Sequence, residues 1–235
     1  MPVVKVGILC AGDRGVAPFL GMIQDCVQTG KAMLVFYEGK IENVNVVTLF
    51  SGVCKVNAAI AAQILIDTYG CDVIINAGTA GGISQAAQIL DTIVSTEAAY
   101  HDVAQGILTD FHPWMEDIYF KADDELLQIA QRAGKRLPSQ RVIFGRMVTG
   151  EAFIEDEQRE QIKRKYMPVS VDMETASIAH VCYVNQTPFI AVRTLTDDAD
   201  HSASEMFESN CARAAQLSAE FVQMMLSVSG WGEKK

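Results

Sequence analysis

The chain has 235 residues, of which 49% are hydrophobic and 20% charged, so we expect one sizeable core and a single domain over residues 1–235. Its formal net charge is −10, whereas proteins that bind nucleic acids or anionic membranes usually carry a positively charged surface. The expected partner is therefore a small molecule or a protein chain. Apolar runs are shorter than the roughly 18 to 20 residues that span a bilayer, and the first residues lack the basic start of a secretory signal, so we expect a cytoplasmic protein.

Short β-branched runs alternate with longer amphipathic stretches, which predicts an α/β fold with strands crossed by helices in one sheet. In chain order, the predicted elements are a strand over 3–12, two or three antiparallel strands over 32–52, a helix over 55–70, strands over 71–82 and 89–102, a helix over 123–135, a strand over 140–154, helices over 155–166 and 173–186, a strand over 187–200 and a helix over 202–228.

Local signals mark the ends of several elements. Tight turns are expected near Glu38-Gly39 and at Asn43, and Gly70 is expected to close its helix. The strand over 71–82 is expected to run into a glycine-rich turn, and Ser202 or Ser204 is expected to begin the last helix. The cysteines occur singly among apolar neighbours, without metal-ligand spacing, so we expect reduced core residues. They are Cys10, Cys26, Cys54, Cys71, Cys182 and Cys211.

Polar residues that follow buried strands form the candidate site, because ligands of open α/β sheets usually bind beyond the carboxyl ends of the strands. They are Asp13, Arg14, Thr79, His101, Asp102, Glu151, Asp172, Glu174, Arg193, Asp197 and Asp198. Glu174 begins an apolar helix, and Arg193 lies within the apolar segment "FIAVRTL", where an unpaired guanidinium is costly to bury. We therefore predict a Glu174–Arg193 pair, which by itself is either structural or functional. Asp197 is either a loop acid or a proton donor to a ligand.

Several common site types do not match. "NAGTAGG" is not the dinucleotide motif GxGxxG, and "CAGDRG" has neither the lysine nor the length of a P-loop. The chain has no GxSxG motif, and its four histidines form no metal pattern, so we expect neither a cofactor nor a metal. His180, on an apolar helix, is expected to be a packing residue.

Seven motifs together resemble the 5′-methylthioadenosine/S-adenosylhomocysteine nucleosidases, which belong to the nucleoside phosphorylase superfamily. They are "SGVCKVNAA", "VIINAGTAGG", "TEAAYHD", "FKADDELL", "VTGEAFI", "VDMETASIAHVC" and "AVRTLTDDAD". The resemblance covers about residues 4 to 228. It implies a three-layer α/β/α domain around a central mixed sheet and a homodimer with an active site near the subunit interface. The implied reaction is hydrolysis of the N-glycosidic bond of 5′-thio-substituted adenosines, which releases adenine.

The resemblance also implies roles for individual residues. Glu174 would hydrogen-bond the ribose hydroxyls, with Met173 packed on the ribose and Arg193 orienting Glu174 and the water. Asp197 would protonate adenine N7 when burial beside the base keeps it protonated. The remaining implied residues of the adenine nucleoside pocket are Val53, Thr79, Ala80 and Gly81 along the ribose and base, Phe153 stacked on the base, Ile154 at its edge, Thr196 next to the acid, and Phe207 over the 5′-alkylthio group.

The chain departs from the family pattern in the loop after the first strand. Family nucleosidases carry a run of acids there, whose last member helps to activate the water, and the matching residue here is Gly15. Three interpretations stay open: Asp13 serves as the base, Glu174 alone supports slow hydrolysis, or the chain is an impaired variant. A base contributes about 10²- to 10⁴-fold, so its loss does not by itself abolish hydrolysis.

Two alternatives of function remain beside hydrolysis. Phosphorolysis needs convergent arginines that bind the phosphate. In the phosphorylases one of these arginines precedes the glycine turn, and the matching residue here is Asn76, which favours hydrolysis. Against this, Arg14 in "AGDR" is placed to meet an anion. A non-catalytic nucleoside-binding protein is the other. The segment 103–117, with Trp114, also differs from better-known members, which leaves the 5′ substituent open; Trp114 is equally consistent with a dimer-interface anchor.

Overall fold

The structure is a computed structural model that describes residues 3–111, 115–154, 156–199 and 203–232. Trp114 and the proposed helix start at Ser202 lie outside the described residues. The strands are β1 (Lys5–Cys10), β2 (Gln24–Lys31), β3 (Leu34–Ile41), β4 (Val44–Phe50), β5 (Val73–Gly82), β6 (Thr92–Tyr100), β7 (Phe120–Lys121), β8 (Val142–Thr149), β9 (Ser170–Asp172) and β10 (Phe189–Asp197). The helices are α1 (Asp13–Met22), α2 (Lys55–Asp67), α3 (Ile107–Asp110), α4 (Asp124–Arg136), α5 (Asp156–Tyr166), α6 (Thr175–Asn185) and α7 (Ala203–Ser229).

All the strands join one mixed sheet in the order β10-β6-β8-β9-β5-β1-β4-β3-β2, with β7 beside β6. Strand β5 also pairs with β10 in parallel, so β5, β9, β8, β6 and β10 close a ring. The carboxyl ends of β1, β5 and β10 therefore lie at the same edge of the sheet. This arrangement places the ends of sequence-distant strands around one space.

Helices cover both faces of this sheet. One buried core joins the sheet to α1, α4 and α7, and a second joins the opposite face to α2 and α6. The predicted α/β class and the three-layer arrangement are thereby confirmed. No described helix combines the length and the apolar character that crossing a membrane requires.

The hairpins at the edge of the sheet differ from the prediction. The turn at Asn43 is confirmed, with positive φ at Glu42 and Asn43, but no turn occurs at Glu38-Gly39, which lies inside β3. A Cβ at Gly39 would come within 2.4 Å of Ile23 Cγ2, so this glycine permits close approach of the segment that enters β2. Strand β2 was missed because its side chains are exposed on both faces and show no apolar alternation.

Three further expectations are modified by the structure. The glycine-rich segment after residue 75 continues as strand β5 to Gly82 instead of forming a turn. Cys26 is exposed and Cys54 is half-buried, so these two cysteines are not core residues, while the other four are buried. His180 packs as expected: its ring stacks on Phe120 at 4.8 Å.

Candidate active site

A cavity of about 560 Å³ opens at the carboxyl ends of β1, β5 and β10, between α1, α7 and the loop after β8. Every residue to which the family resemblance assigned a role in binding or catalysis contributes to its lining. These residues are Asp13, Val53, Thr79, Ala80, Gly81, Phe153, Ile154, Met173, Glu174, Arg193, Thr196, Asp197 and Phe207. The topology thus brings together residues from most of the length of the chain.

The predicted pair of Glu174 and Arg193 is confirmed. Arg193 Nη2 donates to Glu174 Oε2 at 3.0 Å, and the side chains are only 2% and 3% exposed. The other carboxylate oxygen, Oε1, accepts the backbone N–H of Cys54 at 3.0 Å. Burial raises the pKa of Glu174, and the adjacent Arg193 guanidinium opposes that rise. The cavity therefore contains a desolvated carboxylate in a fixed orientation.

The Arg193 guanidinium has a partner for each of its nitrogens. Nε and Nη2 donate to Asn76 Oδ1 at 3.1 and 2.9 Å, and Nη1 donates to the Thr79 carbonyl at 2.8 Å. A buried guanidinium is stable only when its donors are satisfied in this way. Arg193 is therefore held rigidly and fixes Glu174 in turn.

Asn76 supports the site from below, and the sequence analysis missed this structural role. Its Oδ1 accepts from Arg193 and from Thr175 Oγ1, the latter at 2.8 Å, and its Nδ2 donates to the Leu9 carbonyl at 2.9 Å. Asn76 therefore links β1, β5, α6 and β10 beneath the cavity. Its position inside an apolar strand was the available signal, since a buried amide needs several partners.

Asp172 lines the cavity but serves chiefly as a structural cap. Its Oδ1 accepts the backbone N–H groups of Glu174 and Thr175 at 3.1 and 3.0 Å and the Thr149 hydroxyl at 2.6 Å. Its Oδ2 also accepts the Thr175 hydroxyl. A carboxylate that accepts the first N–H groups of a helix stabilises the helix start, so Asp172 positions Glu174 at the start of α6.

Asp197, at the end of β10, is the second buried acid and is 2% exposed. Its Oδ2 accepts from the Thr196 hydroxyl at 2.7 Å, and its Oδ1 accepts the Ala199 N–H at 3.0 Å. A Cβ on Gly81 would lie 3.0 Å from Oδ1, so the small residue on β5 leaves room for this carboxyl group. Asp197 is thus held in place from its own strand and loop.

Aromatic residues frame the opening of the cavity. The Phe153 ring, 46% exposed, meets the Phe207 ring edge-on at a centroid distance of 6.2 Å. Ile154, next to Phe153, is buried. The two rings are in contact with each other at the opening, one coming from the loop after β8 and the other from α7.

The start of α1 supplies the remaining wall. Asp13 Oδ1 accepts the Arg14 backbone N–H at 2.7 Å, and Arg14 Nη1 donates to Glu208 Oε2 on α7 at 2.7 Å. Gly15 also lines the cavity, and a Cβ there would meet Cys10 Cβ at 3.3 Å. At the position where the family pattern has an acid, this chain therefore has a glycine and no carboxylate.

Three of the polar candidates form a separate cluster around Lys55, outside the cavity lining. Lys55 Nζ pairs with Asp102 Oδ2 at 2.9 Å, and Asp102 accepts the Glu151 N–H at 3.0 Å. His101 packs against Gly150, where a Cβ would approach its ring within 2.3 Å, and burial lowers the pKa of His101. These residues anchor the ends of β6 and β8 beside the start of α2.

Comparison with known proteins identifies similar chains over the whole length. A family model described as the phosphorylase superfamily matches residues 5–227. The 5′-methylthioadenosine/S-adenosylhomocysteine nucleosidase of Anoxybacillus flavithermus is 35% identical over 229 residues, which are 95% of this chain and 98% of the relative. The crystal structure of such a nucleosidase from Colwellia psychrerythraea, in complex with adenine, has a TM-score of 0.91 at 30% identity and covers 99% of this chain and 98% of its own. Futalosine hydrolase of Helicobacter pylori has a TM-score of 0.87 at 25% identity, with coverages of 95% and 97%.

Proposed function

This chain belongs to the phosphorylase superfamily and, within it, to the 5′-methylthioadenosine/S-adenosylhomocysteine nucleosidases, and from that membership we propose that its cavity hydrolyses the N-glycosidic bond of 5′-thio-substituted adenosines. The products are adenine and a thioribose. The observation that carries the proposal is the presence of two buried, oriented carboxyl groups, Glu174 and Asp197, in one cavity.

Each carboxyl group suits one requirement of the reaction. Cleavage of an N-glycosidic bond passes through an oxocarbenium-like ribosyl cation, which needs a proton for the departing base and a negative charge near the sugar. Asp197 donates the proton to adenine N7, with Thr196 holding its carboxyl group. Glu174 accepts hydrogen bonds from the ribose hydroxyls and stabilises the cation. Met173, beside Glu174, packs on the ribose.

The remaining cavity residues bind the nucleoside by shape. Phe153 stacks on adenine, and the backbone of Ile154 reads its edge. Val53, Thr79, Ala80 and Gly81 line the ribose and the base, and Phe207 covers the 5′-alkylthio group. The positions of Phe153 and Phe207 in the cavity lining support this assignment, because both rings present apolar surface at its opening.

Water completes the reaction when it attacks C1′ of the cation and loses a proton. We assign that proton to Asp13, which lines the cavity at the first residue of α1. Arg193 orients the water together with Glu174. Gly15 provides no carboxylate. Among the described residues of α1 that line the cavity, Asp13 is the one with an acidic side chain, so it is our candidate for the base.

Phosphorolysis has less support than hydrolysis. Among the described residues that line the cavity, the arginines are Arg14 and Arg193, and each is paired with a glutamate. Asn76, at the position of a phosphate-binding arginine in the phosphorylases, uses its oxygen to accept from Arg193 and carries no charge for an anion. A phosphate group would therefore meet cations that are already neutralised.

The test is adenine release from methylthioadenosine by the purified protein, in phosphate-free buffer and in excess phosphate. Hydrolysis requires equal release in both buffers. Release that depends on phosphate would assign the protein to the phosphorylases, and binding without release in either buffer would identify a non-catalytic nucleoside-binding protein.

A homodimer accompanies this proposal. Val56 and Ile60, on one face of α2, are 69% and 46% exposed, and the cavity residue Val53 extends the same apolar surface at 49% exposure. Exposed apolar surface of this kind commonly marks an interface, and here it begins at the cavity. Sedimentation analysis should show a dimer that Val56→Glu weakens and that Met33→Glu, at the β2–β3 hairpin tip, leaves intact.

We further propose one domain over residues 1–235 in the cytoplasm, acting in methionine salvage. One buried core runs from Val6 to Leu226, which supports a single folding unit. All six cysteines are free thiols, including the exposed Cys26, as is usual in a reducing compartment. Methionine salvage is proposed because the thioribose product retains the sulfur of the 5′ substituent. A single unfolding transition in calorimetry would support the one-domain assignment.

A further inference from the structure

An ion pair lies on the rim of the cavity, between α1 and α7. Arg14 Nη1 and Glu208 Oε2 are 2.7 Å apart, and both residues line the cavity. Their side chains are 49% and 61% exposed, in contrast to the deeply buried pair of Glu174 and Arg193. The hydrolytic mechanism proposed above uses neither residue of this rim pair.

The position of the rim pair assigns it to one end of the ligand. Given the proposed function, the base occupies the space near Asp197 and Phe153, and the ribose occupies the space near Glu174. The 5′ substituent then extends along Phe207, which immediately precedes Glu208 on α7. A long substituent therefore passes an apolar ring first and meets charged groups at the rim.

We propose that Arg14 and Glu208 recognise 5′ substituents that end in an α-amino acid, with Arg14 binding the carboxylate and Glu208 binding the ammonium group. This inference rests on the proposed function and assigns S-adenosylhomocysteine, rather than methylthioadenosine, as the preferred substrate class. A guanidinium binds a carboxylate through two parallel hydrogen bonds, which a methylthio group has no means to accept.

The state of the rim pair without ligand favours this exchange. An exposed ion pair contributes little because solvent screens it, so opening it for a ligand is easy. A zwitterionic ligand replaces the ion pair between Arg14 and Glu208 by two new ion pairs, one with each residue. Neither residue is then left without a partner. An uncharged 5′ group leaves the rim pair as it is and gains nothing from it.

The charge of the rim argues against a simple anion. Arg14 carries one positive charge, whereas Glu208 and the neighbouring Asp13 carry one negative charge each, which gives a local net charge of −1. An anionic substituent such as a phosphate would be attracted by one group and repelled by two. A zwitterion places its ammonium group toward the carboxylates and its carboxylate toward the guanidinium.

The experiment compares kcat/KM for adenine release from S-adenosylhomocysteine and from methylthioadenosine in the wild type, Arg14→Met, Arg14→Lys and Glu208→Gln. We expect Arg14→Met to lower the value for S-adenosylhomocysteine about 10-fold or more, while that for methylthioadenosine changes less than about 3-fold. Arg14→Lys should lie between Arg14→Met and the wild type. The preference should also weaken as salt is raised, since the rim is exposed.

Arg213→Met is the matched control, because Arg213 is an exposed arginine of α7 that pairs with Glu220 at 4.0 Å. Equal losses for both nucleosides in Arg14→Met, or no loss for either, would overturn the inference while leaving hydrolysis intact. If the wild type releases adenine from neither nucleoside, hydrolysis itself fails. Calorimetric binding of the same two nucleosides then tests the rim pair, and a selective loss of S-adenosylhomocysteine affinity in Arg14→Met would still support it.

Discussion

Cys54 donates its backbone N–H to Glu174 Oε1 at 3.0 Å from a backbone conformation that is normally reserved for glycine, with φ of 82° and ψ of 164°. A non-glycine residue in this region costs about 1–3 kcal/mol. The backbone N–H of Cys54 can therefore orient the Glu174 carboxylate only while Cys54 keeps a strained backbone conformation. The strain persists because α2 begins at the next residue and fixes the chain direction.

Replacing Cys54 by glycine should stabilise the protein. Relief of the strain outweighs the roughly 0.5–1 kcal/mol that glycine loses through the flexibility of the unfolded chain, so we expect the free energy of unfolding to rise by about 1 kcal/mol. Activity should stay within about 2-fold, because the N–H is retained. Urea denaturation measures the change, and Cys54→Ala, which keeps the strain, is the control. Equal stability of the glycine and alanine variants would contradict the argument.

The sequence was sufficient for the pair of Glu174 and Arg193, because each lies in an apolar segment that requires a compensating partner. It was insufficient for Asn76, whose importance arises only when β5 lies beside both β1 and β10. The same limit applies to Gly39: a glycine in a short polar interval predicts a turn, yet here it permits the close approach of a strand whose existence no apolar pattern indicates. Local signals predicted the elements, and pairing between distant strands determined the rest.

The pH dependence of activity should reflect Glu174. Only its ionised form stabilises the ribosyl cation, and burial raises its pKa above the usual 4.5, so the ionised fraction begins to fall at a higher pH than for an exposed glutamate. We therefore expect kcat to decline on the acid side at a pH above 4.5. A profile of kcat for methylthioadenosine from pH 4 to 8 measures this limb. A rate that is constant down to pH 4 would show that ionisation of Glu174 is not required.

Arg159, on α5, connects two backbone segments beside the cavity. Its Nε donates to the Asp198 carbonyl at 2.8 Å, and its Nη2 donates to the Ile83 carbonyl at 3.2 Å. Since Asp198 follows Asp197 directly, loss of these bonds should loosen the general acid. We expect Arg159→Ala to lower kcat about 10-fold with a smaller change in KM, because small displacements of a catalytic group are costly.

Two further variants separate positioning by Arg159 from a general effect on α5. Arg159→Lys retains a cationic donor group and should recover part of kcat. Lys163→Ala, on the same helix, removes a cation that lies 3.9 Å from Glu160, and it should leave kcat unchanged. Equal kcat losses in Arg159→Ala and Lys163→Ala would assign the effect to the helix instead of the two carbonyl contacts.

Substitutions at Asp13 and Gly15, on the same wall of the cavity, can remove the proposed water-activating base and then restore a carboxylate next to its position. Asp13→Asn should lower kcat by about 10²-fold if Asp13 takes the proton of the water. Gly15→Glu should raise kcat in the Asp13→Asn background, because it returns a carboxylate to the cavity wall. A Cβ at Gly15 meets Cys10 Cβ at 3.3 Å, so the substitution requires Cys10, in the buried strand β1, to give way by a few tenths of an ångström.

Gly15→Ala in the same background is the control for added bulk and should give no increase. Initial rates of adenine release at saturating methylthioadenosine measure all three variants. If Asp13→Asn retains full kcat, the assignment of Asp13 is wrong, and hydrolysis proceeds with Glu174 alone.

Asp197→Asn tests the general acid itself. The amide keeps the shape of the side chain, and its oxygen can still accept from Thr196 or Ala199, so the free energy of unfolding should change little. Its amide N–H can hydrogen-bond adenine N7 but is too weakly acidic to protonate it, so kcat should fall by about 10²- to 10⁴-fold while the nucleoside still binds. Asp198→Asn changes an exposed acid one residue further along the chain and should retain kcat within about 2-fold. Undiminished turnover by Asp197→Asn would refute the proposed mechanism, because that mechanism assigns the protonation of adenine N7 to Asp197, whereas Asp172 is engaged as a helix cap and Glu174 is paired with Arg193.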